Sequence, residues 1–125
     1  MDLEIKKNLT SNWFKTLQNI FCDDIKKLEK YKVDFKSTVW KKNEKKDEGG
    51  GDYRILRGGK VFEKVGVNFS KVHGKFPKKL QKNIPGAQKD PRFWASGISV
   101  VMHLKNPLIP AMHFNTRYIL SLTHI

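Results

Sequence analysis

Apolar residues recur along the first thirty positions at three- and four-residue spacing: Phe14, Leu17, Phe21, Ile25 and Leu28. Asp23, Asp24, Lys26, Lys27, Glu29 and Lys30 fill the positions between them. That period predicts an amphipathic helix over 12–31, opened by N-cap candidates in Thr10-Ser11-Asn12. The period then shortens to two. Val33, Phe35 and Val39-Trp40 read as a short strand, and 41–48 as a charged loop. Gly49-Gly50-Gly51 marks backbone that bends sharply or approaches something closely. Residues 53–57 and 60–70 read as a hairpin turned by Gly58-Gly59, with Gly66 as a candidate bulge. Residues 71–92 carry Pro77, Pro85, Pro91, Gly74 and Gly86 and read as loop. Two apolar strands, 93–104 and 111–122, close the pattern around a turn holding Pro107 and Pro110. One long helix followed by short alternating strands predicts an α+β fold, an N-terminal amphipathic helix and then antiparallel hairpins.

Composition narrows the classes. The 125 residues suit one domain or part of one, and 1–125 is expected to be a single partial domain. No apolar run approaches the roughly 20 residues of a membrane span. One cysteine, Cys22, excludes a disulfide framework. The first residues hold no apolar leader, so a cytoplasmic location is the expectation.

The net charge of +13 comes from 21 Lys and only 4 Arg against 12 acids. A small basic protein binding anions or RNA through 71–92 is one reading of that excess. The scarcity of Arg, the side chain that makes two-pronged base contacts, argues against nucleic acid as a partner. So does the aromatic pattern, which follows core periodicity rather than a stacking platform. Charge is also uneven. Residues 1–48 hold 12 cations and 9 anions, and residues 49–125 hold 13 and 3. From Phe93 onward only Lys105 and Arg117 carry fixed charge, so this last third is expected to be largely buried.

Strand alternation locates the candidate chemistry. Ser99 and His103 share one face of the first apolar strand. His113, Asn115 and Arg117 share one face of the second, with Met112, Phe114, Thr116 and Tyr118 on the other. An antiparallel pair brings two imidazoles, a hydroxyl, an amide and a guanidinium onto a common face. No acid in this third can pair with Arg117, and a ligand carboxylate satisfies it. Singly, each of these residues also has an ordinary structural use. Glycines 49–51 lack the spacing of a nucleotide-binding loop, and no histidine pair has the spacing of a helical metal motif.

Two runs carry a resemblance. Gly49-Gly50-Gly51-Asp52-Tyr53-Arg54-Ile55-Leu56-Arg57 with Gly59 to Gly74, and Gly97-Ile98-Ser99-Val100-Val101-Met102-His103 with Asn106-Pro107, Pro110 and His113-Phe114-Asn115-Thr116-Arg117-Tyr118, resemble the N-terminal part of oxygen-dependent coproporphyrinogen III oxidase. The resemblance implies an antiparallel sheet flanked by helices. It also implies an oxidoreductase of haem biosynthesis that uses O2 to convert two propionates of coproporphyrinogen III into vinyls. Protoporphyrinogen IX, carbon dioxide and hydrogen peroxide are the products. It implies a homodimer with neither flavin nor haem. By the same resemblance, Ser99, Asn115, Thr116 and Arg117 bind substrate, His113 donates a proton, and His103 matches a ligand of a divalent metal cation in bacterial members. Leu104 and Val65 depart from the family's usual Pro and Ala. Members of the family are longer, so the chain is expected to stop mid-domain and to be inactive alone.

Overall fold

A computed structural model describes residues 2–30 and 33–122. Helix α1 spans Leu3–Glu29. It starts nine residues before the predicted point, because Asp2 caps it, accepting a hydrogen bond from the Glu4 amide. Ser11, offered by the sequence as a cap, lies inside the helix, where its hydroxyl donates to the Lys7 carbonyl at 2.8 Å. Lys30 closes the helix in the left-handed conformation (φ 52°). Tyr31, the predicted last residue, lies outside the described residues.

Five strands follow: β1 (Lys36–Lys41), β2 (Gly49–Arg57), β3 (Phe62–Lys75), β4 (Arg92–Leu104) and β5 (Met112–Ser121). They form one antiparallel sheet in chain order. A short helix, α2 (Lys78–Gln81), lies between β3 and β4. The α+β architecture is therefore as expected. The segment read as loop from residue 71 is instead strand through Lys75, because Lys71 to Lys75 stay paired with Ser96 to Arg92.

Helix α1 closes one sheet face. Its buried stripe runs Ser11, Phe14, Gln18, Cys22, Ile25 and Glu29. Against it stand Leu56 of β2, Val65, Val67 and Phe69 of β3, and Ile98 and Val100 of β4. Each fully buried aliphatic side chain contributes about 1.5–3 kcal/mol. Leu28, expected in the stripe, is exposed. Burial pushes the Cys22 thiol above its ordinary value. No helix among the described residues is long and apolar enough to cross a membrane.

Two polar side chains fix the helix on the sheet. The Gln18 amide donates to the Asp52 carbonyl at 2.9 Å and to the Val67 carbonyl at 3.2 Å, bridging β2 and β3. Glu29, only 2% exposed, accepts from the backbone N–H groups of Lys60, Val61 and Phe62. This capture corrects the expected two-residue hairpin. Residues 58–61 all lie outside the strands: the Lys60 and Val61 N–H groups, with that of Phe62, donate to Glu29, and the Gly58 N–H donates to the Glu63 carbonyl. Gly59 leaves room for the carboxylate, because a Cβ there would lie 2.3 Å from Glu29 Oε2. The bulge expected at Gly66 is instead next to this loop, at the register shift between Phe62 and Lys64. Gly66 pairs regularly and makes space for the Tyr53 ring.

The expectation of a buried last third holds for β4 and fails for β5. Trp94 to Ile98 are buried, whereas β5 is an edge strand that is mostly exposed. Phe114, 5.4 Å from Phe21 between ring centroids, holds β5 to α1.

Burial pushes the Glu29 carboxyl up, but the three backbone donors and the field of Lys105 outweigh it and hold the value below the usual glutamate range. A lowered folded value gives stability that is present above the unfolded value and is lost as pH falls through the folded one. Glu29→Ala should therefore cost on the order of 3 kcal/mol near neutral pH, in urea melts. The gap from wild type should narrow as the solution is acidified below the usual carboxylate range. A gap of equal size at all pH values would contradict the assignment.

Candidate functional site

The face turned away from α1 is built differently. Strand register arranges it in rows across the sheet. One row is polar on all five strands: Thr38, Tyr53, Asn68, Ser99 and Asn115. The next row is Trp40, Gly51, Ser70, Gly97 and Arg117. The Trp40 indole covers Gly51, and Ser70 and Gly97 leave the row low between that indole and the Arg117 guanidinium. The close approach expected at Gly49-Gly50-Gly51 is thus real but occurs inside a strand: a Cβ on Gly51 would lie 2.7 Å from Trp40 Cζ2. Gly97 is equally constrained, since a Cβ there would lie 2.5 Å from the Thr116 carbonyl oxygen and 3.1 Å from Arg117 Cα.

The β3–β5 parts of these rows, with Val72, Ala95 and Ile119 of the row beyond, floor a cavity of about 470 Å³. Its walls are Trp40, Phe93, Phe76, Pro77 and Leu80 of α2. Phe76 and Phe93 stack with centroids 4.9 Å apart. Trp40 is held in place by its indole N–H, which donates to Asn68 Oδ1 at 2.9 Å. No carboxylate lines the cavity, while Lys42 and Arg117 both do. Lys42 is already engaged. Its ammonium lies 2.9 Å from Glu48, donates to the His73 carbonyl and sits 5.0 Å from the Phe93 ring centroid. That contact with Lys42 holds the Glu48 carboxyl below its usual range. Arg117 is exposed, and among the described residues no carboxylate lies within ion-pairing distance of it. Arg117, expected with the rest of the last third to be buried, is open to solvent and free to meet an anion arriving from outside.

The five residues singled out by strand period do share this face. Ser99 faces Asn115 across β4 and β5, and Gly97 faces Arg117. His113 pairs with Val101, one row beyond Asn115, and His103 with Lys64, one row further. Arg117 and His113 are four residues apart, about 13 Å along the strand. At that distance the two side chains cannot meet at a single carboxylate. Thr116 does not join them: its side chain leaves the opposite face with Phe114 and Tyr118, and only its backbone borders the cavity. Among the described residues no three of His, Cys, Asp and Glu come together, so His103 acquires no metal cage here. His73 is tied to the Asp47 carbonyl at 2.7 Å, and His124 lies outside the described residues. Asn68 and Trp40 are the site residues that sequence reasoning missed. The signal was present, because Gly66, Asn68 and Ser70 break the apolar run of β3 at every second position.

With this geometry in view, comparison with known proteins is decisive. Residues 9–124 match the family described as coproporphyrinogen III oxidase. The chain belongs to that family. It is 48% identical over 121 residues to an oxygen-dependent coproporphyrinogen-III oxidase of Rickettsia akari (strain Hartford), covering 90% of this chain and 42% of that protein. The like-named protein of Rickettsia felis is 47% identical over 121 residues, with the same coverage. That of Rickettsia africae (strain ESF-5) is 46% identical over 127 residues, covering 95% of this chain and 44% of the relative. The chain thus spans less than half the length of the curated relatives it matches.

Gly97→Ala tests the close β4–β5 approach that sets Arg117 over the floor. The added methyl must push the Thr116 backbone away, and a cost of about 1–3 kcal/mol is expected in urea melts. A change below about 0.5 kcal/mol would show that β5 yields freely.

Proposed function

We propose that residues 1–125 form part of one catalytic domain and supply the sheet face that binds coproporphyrinogen III in an oxygen-dependent coproporphyrinogen oxidase. The observation that carries this reading is the acid-free cavity, glycine-floored and aromatic-walled, with the unpaired Arg117 at its edge. An apolar macrocycle of four pyrroles joined by saturated methylene bridges can rest on the low floor. Its carboxylates need a cation that is not already engaged, and Arg117 meets that need with a planar two-pronged fork. Ser99, Asn115 and Asn68 stand in the adjoining polar row as hydrogen-bonding groups for the substrate's pyrrole N–H groups and carboxylates. Thr116 binds, in this reading, through its backbone.

The reaction balances per propionate. The carboxylate leaves as carbon dioxide, a hydrogen leaves the neighbouring carbon with the electron pair, and the vinyl forms. O2 takes up the two electrons and becomes hydrogen peroxide, with one net proton consumed. His113, an imidazole beside the polar row, is the group to which this reading assigns that proton. No flavin or haem enters the scheme, and no step is assigned to a metal, because the described residues do not assemble a site for one.

Coproporphyrin III, the stable oxidised form of the substrate, is the probe for binding. Arg117→Lys keeps the charge but loses the fork, and should weaken binding about tenfold in a fluorescence titration. Turnover needs the rest of the enzyme, supplied by the remaining segment of the Rickettsia akari relative. In that assembly His113→Ala should lower kcat by roughly 10²–10⁴-fold with little change in coproporphyrin affinity. Full turnover by both variants would contradict the proposed roles.

A further inference from the structure

At the hairpin end of the same face lies a second cationic row. Arg57 of β2 pairs with Lys64 of β3, and Lys64 with His103 of β4. With Gly58, Gly59, Glu63 and Lys105 they line a cleft of about 600 Å³. Like charges placed directly opposite each other across strands repel. Among the described residues no ion pair neutralises Arg57 or Lys64. Glu63, exposed in the same cleft, bridges neither of them. Lys64 is half-buried. The sheet carries this unfavourable pairing on the ligand face, where an arriving anion relieves it.

We infer that Arg57 and Lys64, with His103 beside them, form a second carboxylate subsite, which grips the side of the substrate opposite the carboxylate held by Arg117. This rests on the reading of the face as a porphyrinogen site and deepens it. Arg117 and Arg57 are six residues apart along the strands, about 20 Å, and three strands apart across the sheet, about 14 Å, so their backbones are about 25 Å apart. Long side chains reaching inward from both ends shorten that gap to the scale of a macrocycle with carboxylates around its rim. Asn68, Ser99 and the Tyr53 ring, which lies over Gly66, form the surface between them, and His113 flanks the middle. The same row is poorly suited to a cation. A divalent ion on His103 would face Lys64 and Arg57, with no group of three ligands around it.

The test compares two porphyrins on the full chain. Coproporphyrin III has four carboxylates around the ring, and mesoporphyrin IX has two on one edge. The double variant Arg57→Gln/Lys64→Gln should weaken coproporphyrin III at least about tenfold and mesoporphyrin IX less than about twofold. Lys45→Gln/Lys46→Gln removes the same charge from the 42–48 loop and should leave both affinities within about twofold. Urea melts of both doubles exclude unfolding as the cause. Equal losses in the two doubles, equal losses for the two ligands, or no loss at all would overturn the second subsite. If Arg117→Lys alone weakens binding, the second subsite falls while the porphyrinogen reading stands. If the unaltered chain binds neither porphyrin, that reading fails and takes the second subsite with it.

Discussion

The carboxylate of Glu29, at the last turn of α1, accepts three backbone hydrogen bonds from the loop between β2 and β3. It is the point from which the rest of the molecule is aligned. A buried carboxylate without donors would cost several kcal/mol. The requirement to satisfy it therefore fixes the shape of the 58–61 loop and the start of β3, and locks the helix against sliding along the sheet. Gln18 adds a second anchor midway, across β2 and β3. With one helix pinned in this way, one sheet face is committed to the core and the other is left for a ligand.

The two faces follow from a side-chain period of two. Where Val65, Val67 and Phe69 point toward α1, Gly66, Asn68 and Ser70 point away. Where Ile98 and Val100 are buried, Gly97 and Ser99 look into the cavity. The ligand face is therefore the complement of the core, built from residues too small or too polar for it. Its cations, Arg117 at one end and Arg57 with Lys64 at the other, do no work in the core.

Much of this was legible in the sequence. The faces of β4 and β5 can be read directly, because alternation is strict and charge is nearly absent, so the sequence alone puts Ser99 with His103 and His113 with Asn115 and Arg117. That alternation also placed Thr116 on the far side, in tension with the role the resemblance gave it. Glu29 was illegible. In a lysine-rich helix it looks like one more solvated charge, and its partners lie more than thirty residues away in backbone N–H groups that leave no trace in sequence. Gly66 was ambiguous for a related reason. A strand glycine serves a bulge or a neighbouring ring equally well, and only the position of Tyr53 decides between them. The exposure of β5 was missed because low charge was taken as burial, whereas an edge strand that faces a ligand or another segment is also low in charge.

Membership of the coproporphyrinogen oxidase family and the geometry of the open face converge on one central claim: the face away from α1 is where the porphyrin lies. Amide chemical-shift mapping of the isotope-labelled chain during titration with coproporphyrin III tests that claim most directly. The account predicts that the largest shifts fall on Asn68, Gly97, Ser99, Asn115 and Arg117, with the amides of α1 left unmoved. Shifts concentrated on α1 or on the 42–48 loop, with the β4–β5 rows silent, would contradict it.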